Sequence, residues 1–284
     1  MTSAPQPGTA GAAFDKSSDV YERMTGGCTR EVAKFLLTLS PQVDSSSVIL
    51  DNACGTGIVV EEILSQFPDA KPTIFAADVA PNMIAKFKDK AIRKGWMNED
   101  DGHEHEPTLT LSVTSAEELP YPANTFTHSY TNLGFPFFQD SAKAAAQVHR
   151  TLRPGGTAFV STWMTLGYLA PVHKAQRAVR PNDPVWEPPM PKDWCTKEKL
   201  EAVLQAGGFQ TGNIQIRAKT VRYGGEGLED FLDIMTSAFG GYVTKDWSEG
   251  EKTQWVKELR ESLTEEEREG AGVEMVAWVA VARK

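Results

Sequence analysis

The sequence predicts an α/β protein with a doubly wound, mostly parallel sheet of seven strands, an antiparallel last strand and a small helical cap. Short apolar runs alternate along the chain with segments of helical periodicity, as strands and helices do in such sheets. The first run ends in a glycine-containing turn at residues 53–57, which is typical of a buried parallel strand. With 284 residues and 40% hydrophobic content, the chain can bury a full core.

The N-terminal part divides into a tail and a helix. Residues 1–13 are rich in Pro, Gly, Ala, Ser and Thr and lack the basic start and apolar stretch of a signal peptide, so we expect a disordered tail. Residues 21–39 place Val32 and Leu36 on one helical face. We therefore expect a single domain over residues 14–284.

Residues 48–57 indicate a ligand site, because an apolar run and Asp51 are followed by Gly55 and Gly57 at the expected end of a strand. A dinucleotide loop needs a third glycine where this chain has Val60, and a phosphate-binding loop needs a lysine that is missing here. Asp51 would repel a pyrophosphate but attract a ligand that carries an ammonium and a sulfonium. The loop therefore favours a cationic ligand.

The remaining elements follow from the same two periodicities. Further strands are predicted at residues 73–78, 108–113, 125–132, 157–163 and 273–281. Residues 209–216 are predicted to lead into one more strand. Helices are predicted at residues 58–66, 81–95, 141–151 and 196–206. The last strand, rich in valine, should pair antiparallel at or near the sheet edge.

Two insertions are predicted to form the cap, at about residues 164–195 and 224–271. Residues 168–191 are rich in proline and contain Trp186, which predicts a long covered loop over the bound substrate, since linkers rarely carry tryptophan. The second insertion carries apolar residues at helical spacing, which we expect to pack inward and to offer an edge to an apolar substrate.

Charge and cysteine content limit the partners. A formal charge of −9 disfavours nucleic acid, because phosphate contacts need a basic stripe. No apolar run is long enough to span a bilayer, so we expect a cytoplasmic protein that does not insert into membranes. The cysteines Cys28, Cys54 and Cys195 are scattered, which fits a reducing compartment without disulfides.

A metal site is not expected. Residues 98–106 form a polar insertion that holds His103 and His105, but no third ligand stands at a recognisable spacing.

These motifs resemble the class I S-adenosylmethionine-dependent methyltransferases, whose first motif is an acidic residue followed by Gly-x-Gly-x-Gly. Ala53 replaces the first glycine, and we expect this substitution to require a negative φ. Asp78, at the end of the next strand, matches the second motif. Residues 115–120 match the third, with Ser115 where the family usually has Asp, and residues 152–156 match the turn into the fifth strand.

The resemblance implies a Rossmann-like methyltransferase fold with S-adenosylmethionine as cofactor. Asp78 would hold the ribose hydroxyls, because a carboxylate accepts two such hydrogen bonds. Val79 and Met83 would pack on the adenine, while Arg23 would hold the methionine carboxylate or else be a solvated helix charge. The expected cofactor-binding residues are Tyr21, Arg23, Thr25, Asp51, Ala53, Gly55, Gly57, Asp78, Val79, Met83, Ser115, Ala116, Glu117 and Asn132.

Within this superfamily the chain resembles small-molecule methyltransferases of fungal secondary metabolism, the group that includes the gliotoxin thiomethyltransferase. The likeness rests on residues 25–26, 50–55, 134–135 and 161–163. It implies methyl transfer to an S, N or O atom of a small metabolite, with a regulatory protein that binds the cofactor without methyl transfer as the alternative. The expected substrate-binding residues are Leu133, Phe135, Phe137, Phe138, Trp163, Met164, Tyr168, His173, Met235 and Phe239.

The chemistry asked of the protein is mainly positioning. The sulfonium makes its methyl group electrophilic, so the protein must align the acceptor and exclude water. A thiolate or a free amine needs no base, whereas a phenol would profit from one. His173, just after the fifth strand, is the candidate base, with a pocket-wall or surface histidine as the alternative.

Overall fold

A computed structural model describes residues 9–97 and 108–284. These residues form a seven-stranded sheet in the order β3-β2-β1-β4-β5-β7-β6. β7 pairs antiparallel with β5 and β6, and the other pairings are parallel. The predicted fold class is therefore confirmed. The strands are β1 (Val48–Asn52), β2 (Thr73–Asp78), β3 (Thr108–Val113), β4 (Phe126–Asn132), β5 (Leu152–Thr165), β6 (Ile214–Gly224) and β7 (Gly272–Arg283).

Helices cover both faces of this sheet. Alternate residues of a strand point to opposite faces, so Ile49 and Phe159 pack in one hydrophobic core while Leu50 and Val160 pack in the other. The described helices are α1 (Thr9–Ser17), α2 (Tyr21–Met24), α3 (Cys28–Thr38), α4 (Ile58–Gln66), α5 (Pro81–Arg93), α6 (Ser141–Thr151), α7 (Leu169–Val179), α8 (Lys197–Ala206), α9 (Leu228–Val243), α10 (Glu249–Ser262) and α11 (Glu265–Glu269). None of these helices is long and apolar enough to cross a membrane.

The N-terminal segment differs from its prediction. α1 begins at Thr9, inside the stretch predicted to be disordered. The Phe14 ring holds this segment against the fold, because its centroid lies 5.0 Å from that of Phe137. The predicted helix over residues 21–39 is two helices, since Gly26 and Gly27 have φ of +51° and +77° and break the chain between α2 and α3.

The predicted long loop over residues 168–191 is also partly wrong, because its first half is α7. Val172 and Ala175 are fully buried on one face of this helix. Pro171 lies in the first turn, where the missing N–H removes no helical hydrogen bond. Only residues 180–191 lack a regular element. The helices α9, α10 and α11 lie between β6 and β7, where the second cap insertion was predicted.

Candidate functional site

A cavity of about 350 Å³ lies at the carboxyl ends of the parallel strands. The strand order reverses between β1 and β4, and open α/β sheets bind ligands at such a reversal. Three short loops bring side chains and backbone to this place, one after each of β1, β2 and β4. The cavity residues from these loops and strand ends are Ala53, Gly55, Asp78, Val79, Asn132, Leu133 and Gly134.

Ala53 contradicts its prediction, because its φ is +58° and not negative. A left-handed conformation costs a non-glycine residue about 1–2 kcal/mol. The fold imposes it: the Cys54 amide must reach the Ala77 carbonyl, at 3.0 Å. The methyl of Ala53 has room because residue 134 is glycine, and a Cβ there would stand 2.9 Å from the Ala53 Cβ.

Gly57 serves packing and does not line the cavity. It precedes α4 with a φ of +86°, and a Cβ at this position would lie 2.3 Å from the ring of the fully buried Phe87. Gly55 does line the cavity, and the nearest atom to a Cβ there would be Tyr21 Cε1 at 3.9 Å. The two glycines of the motif therefore have different roles.

Asp78 links the loops after β1 and β2. Its Oδ2 accepts from the Gly55 amide and its Oδ1 from the Ala80 amide, both at 2.9 Å. Burial raises the pKa of this carboxyl, while the backbone amides oppose the rise. Each oxygen keeps a lone pair, so a carboxylate at the cavity wall can still accept hydrogen bonds from a ligand hydroxyl.

Asp51 is fully buried beside this loop and is not among the residues that line the cavity. Its carboxyl oxygens have no partner of good hydrogen-bond geometry among the described residues, and the Val60 amide nearby only partly opposes the rise in its pKa. Loss of solvation, together with the nearby Asp78 charge, raises its pKa to about 8. An unpartnered buried acid destabilises a fold unless a ligand compensates it. Near neutral pH this raised pKa keeps Asp51 largely protonated, and a cation bound in the adjacent cavity would favour its ionised form. The residues present therefore fit a cofactor that carries positive charge, as S-adenosylmethionine does.

The N-terminal helices cover one side of the cavity. Tyr21, Thr25 and the α5 residue Met83 line it as predicted, and so does Asn132 of β4, whose Nδ2 donates to the Thr29 carbonyl. Burial raises the pKa of the Tyr21 phenol, so this hydroxyl stays neutral.

Two sets of predicted cofactor residues lie elsewhere. Arg23 does not line the cavity: its side chain is 50% exposed and pairs with Asp230 and Asp233 of α9 at 2.9 and 2.7 Å. Ser115, Ala116 and Glu117 are also not among the lining residues. Glu117 accepts from the Ser115 hydroxyl and from the backbone amides of Gln139 and Asp140, which directly precede α6.

Six of the predicted substrate residues line the cavity: Leu133, Phe137, Phe138, Trp163, Tyr168 and Phe239. Phe135 and Met235 do not, because both are fully buried in the hydrophobic cores. Met164 is 38% exposed at the surface, since it follows Trp163 on β5 and so points to the opposite face.

His173, the candidate base, does not face the cavity. Its Nε2 lies 2.7 Å from the backbone carbonyl of Trp186. Trp186, Pro188 and Pro189 of the segment 180–191 line the cavity instead.

Several lining residues were missed by sequence reasoning. The missed aromatic residues Tyr223 and Tyr242 come from β6 and α9. Tyr223 ends a strand without a recognisable motif, so no local signal marks it. Tyr242 continues the apolar stripe of α9 by one turn, a signal that could have found it.

Metal ligands are not assembled in the described part of the chain, where no group of three or more His, Cys, Asp or Glu side chains could hold an ion. His103 and His105 lie outside the described residues.

Comparisons with known proteins indicate the family of this chain. Residues 50–160 match a family model described as a methyltransferase domain. Methyltransferase tpcH of Aspergillus fumigatus is 26% identical over 252 residues, 84% of each chain. The acetylaranotin bis-thiomethyltransferase of Aspergillus terreus is 23% identical over 274 residues, 90% of each chain.

A solved structure shares the fold. The phosphoethanolamine N-methyltransferase 2 of Haemonchus contortus, in complex with phosphomonomethylethanolamine and S-adenosylhomocysteine, matches with a TM-score of 0.57 at 18% identity, over 95% of this chain and 57% of that chain. Fold and matched domain thus define a class I, Rossmann-like methyltransferase. The chain is an S-adenosylmethionine-dependent methyltransferase, similar over most of its length to fungal methyltransferases.

Proposed function

We propose that this enzyme transfers a methyl group to an S, N or O atom of a small, uncharged and largely aromatic metabolite. One observation carries the proposal: among the described residues that line the cavity, Asp78 is the one charged side chain. Most of the other lining side chains are aromatic or aliphatic, and the polar ones, among them Thr25, Thr29 and Asn132, are neutral. Such a lining favours a flat apolar acceptor and disfavours one that carries a phosphate or a carboxylate.

We assign the cofactor to the part of the cavity at the ends of β1 and β2. Asp78 would accept from the ribose hydroxyls, and Val79 and Met83 would pack on the adenine. Asp51, beneath the glycine loop, would compensate the positive charge of the cofactor. Tyr21 and Thr25 of the N-terminal helices would close the methionine end.

When bound, S-adenosylmethionine supplies an electrophilic methyl group, so the residues of this chain position the acceptor and exclude water. Burial raises the pKa of the Cys28 thiol to about 12 and raises that of the Tyr168 phenol, so neither group is ionised near neutral pH. Asp78 is engaged by two backbone amides. The lining therefore offers little basic capacity, which favours a thiol, a neutral amine or an acidic phenol as acceptor.

One relative supports including sulfur. The acetylaranotin bis-thiomethyltransferase is, by its name, an enzyme that methylates thiols. The alignment covers 90% of each of the two chains, so the similarity includes the C-terminal elements that line the acceptor side of the cavity.

A turnover screen tests the proposal. Purified protein is incubated with S-adenosylmethionine and a panel of aromatic thiols, amines and phenols, and products are sought by mass spectrometry as a gain of one methylene. We expect product from at least one uncharged aromatic member and none from its carboxylated analogue. Binding of S-adenosylhomocysteine by calorimetry without product from any acceptor would favour the regulatory alternative.

A further inference from the structure

Residues 180–191, here called the covering segment, form one wall of the cavity without a regular backbone structure. Trp186, Pro188, Pro189 and Met190 of this segment line the cavity. Proline has no backbone N–H, so a segment rich in proline cannot form the hydrogen-bond ladder of a strand or a helix. Its conformation must be held by other parts of the molecule.

Two side chains of α7 form hydrogen bonds with the backbone of Pro184 and Trp186. Gln176 Nε2 donates to the Pro184 carbonyl at 2.9 Å, and Gln176 Oε1 accepts from the Trp186 amide at 2.8 Å. His173 Nε2 lies 2.7 Å from the Trp186 carbonyl. A carbonyl only accepts, so Nε2 of His173 must carry the hydrogen in this bond.

These two anchors are themselves rigidly placed. Gln176 is 4% exposed, and its helix packs against α10. At the start of the covering segment, Arg180 forms an ion pair with Glu251 of α10 at 2.9 Å. A buried amide that satisfies both a donor and an acceptor of another segment is expensive to remove, because both partners would be left unpaired.

The Trp186 ring is fixed from the other side by α9. Its centroid lies 5.6 Å from that of Phe239 and 6.2 Å from that of Tyr242. The backbone of Trp186 is hydrogen-bonded to α7 and its ring packs on α9, and these contacts together fix the orientation of the ring at the acceptor side of the cavity.

We infer that His173 and Gln176 are positioning residues for the acceptor, which they influence through Trp186. The inference rests on the proposed function, because it takes the bound molecule to be an apolar acceptor that contacts the Trp186 ring. His173 acts as a hydrogen-bond donor to the backbone and does not remove a proton from the substrate.

Variants of His173 separate these two roles. His173→Gln keeps an N–H donor in the place of Nε2 but cannot act as a base, whereas His173→Leu removes both. With 2-naphthalenethiol as acceptor probe, we expect His173→Leu and Gln176→Leu to raise KM about tenfold, with kcat little changed, and His173→Gln to match the wild type. The dissociation constant of S-adenosylhomocysteine should stay the same in all three. A His173→Gln enzyme that loses as much kcat/KM as His173→Leu, or that loses kcat, would overturn the inference.

Hydrogen exchange tests the anchoring without turnover. With S-adenosylhomocysteine bound, Gln176→Leu should speed exchange in residues 180–191 and leave β1 unchanged. Lys174→Ala, an exposed change on the same helix, is the matched control and should behave as the wild type. Equal exchange in Gln176→Leu and wild type would overturn the anchoring. A wild-type protein that does not methylate the probe would instead count against the proposed function, and the exchange result would still decide whether Gln176 holds the segment.

Discussion

The part of the cavity proposed for the cofactor, here called the cofactor half, and the part proposed for the acceptor, the acceptor half, are built in different ways. The cofactor half consists of the loops after β1 and β2, in which Asp78 accepts from the Gly55 amide across two adjacent strands. The acceptor half is assembled from β5, the covering segment, β6 and α9, which are far apart in the sequence. Short loops on parallel strands can therefore carry a sequence motif, whereas a wall shared by distant elements cannot.

The two halves also differ in the charge of their side chains. The carboxylates Asp51 and Asp78 lie on the cofactor side, while the acceptor side offers neutral aromatic rings such as Trp186 and Phe239. We therefore expect charge substitutions to alter cofactor binding and fold stability, and we expect changes of the covering segment to alter acceptor use alone.

The largest effect is expected for Asp51→Asn. The folded pKa of Asp51 is about 8, above its ordinary 3.8, so the wild type loses stability as pH rises from about 4 to about 8. The neutral variant escapes this loss, and its advantage in the free energy of unfolding should grow to the order of 5 kcal/mol near pH 8. Urea unfolding of the protein without ligand at several pH values measures it.

The exposed residue Asp69 supplies the control for this comparison, because Asp69→Asn should show no such growth with pH. A pH-independent difference between Asp51→Asn and the wild type would contradict the assignment. Asp51→Asn should also bind S-adenosylmethionine more weakly than the wild type. Its affinity for S-adenosylhomocysteine should change less, because only S-adenosylmethionine carries a sulfonium.

Asp78→Ala should have the next largest effect. Loss of a charged acceptor should weaken S-adenosylhomocysteine binding by about 1–3 kcal/mol, measured by calorimetry. Asp69→Ala again serves as the control. An unchanged dissociation constant would remove Asp78 from the cofactor half, and an altered KM for the acceptor at saturating cofactor would show that the two halves are not separable.

The smallest effect is expected for Ala53→Gly. Relief of the left-handed conformation is worth about 1–2 kcal/mol, and the greater entropy of unfolded glycine offsets about 0.5–1 kcal/mol of it. The variant should therefore unfold at slightly higher urea concentration. Ala85→Gly, on the exposed face of α5, provides a control of opposite sign, since glycine inside a helix is destabilising. Destabilisation at both positions would mean that the Ala53 methyl contributes packing against Gly134 that outweighs its strain.

Local patterns predicted most of the fold. β2, β3 and α4 have the predicted bounds, because each is a run with a clear period between turn residues. The errors occur where tertiary contacts decide: Phe14 orders α1 against Phe137, and Pro171 sits in the first turn of α7. Composition alone pointed to disorder in one case and to a loop in the other.

The candidate site shows the same division. Ala53, Gly55 and Asp78 follow strands that the sequence reveals, so their meeting at one sheet edge could be predicted. Arg23 looked equivalent to its neighbours Tyr21 and Thr25, yet it points away to Asp230, because a four-residue helix presents successive residues in different directions.

The class of fold, the glycine loop and the apolar character of the region after β5 could be predicted from the chain alone, since periodicity and short motifs act over a few residues. Tertiary contacts were needed to show that His173 donates to a backbone carbonyl, that Ala53 is left-handed and that Tyr223 lines the cavity. The physical reason is that each of these depends on which distant group supplies the hydrogen-bond partner or the space beside it, and that information is absent from any single stretch of the chain.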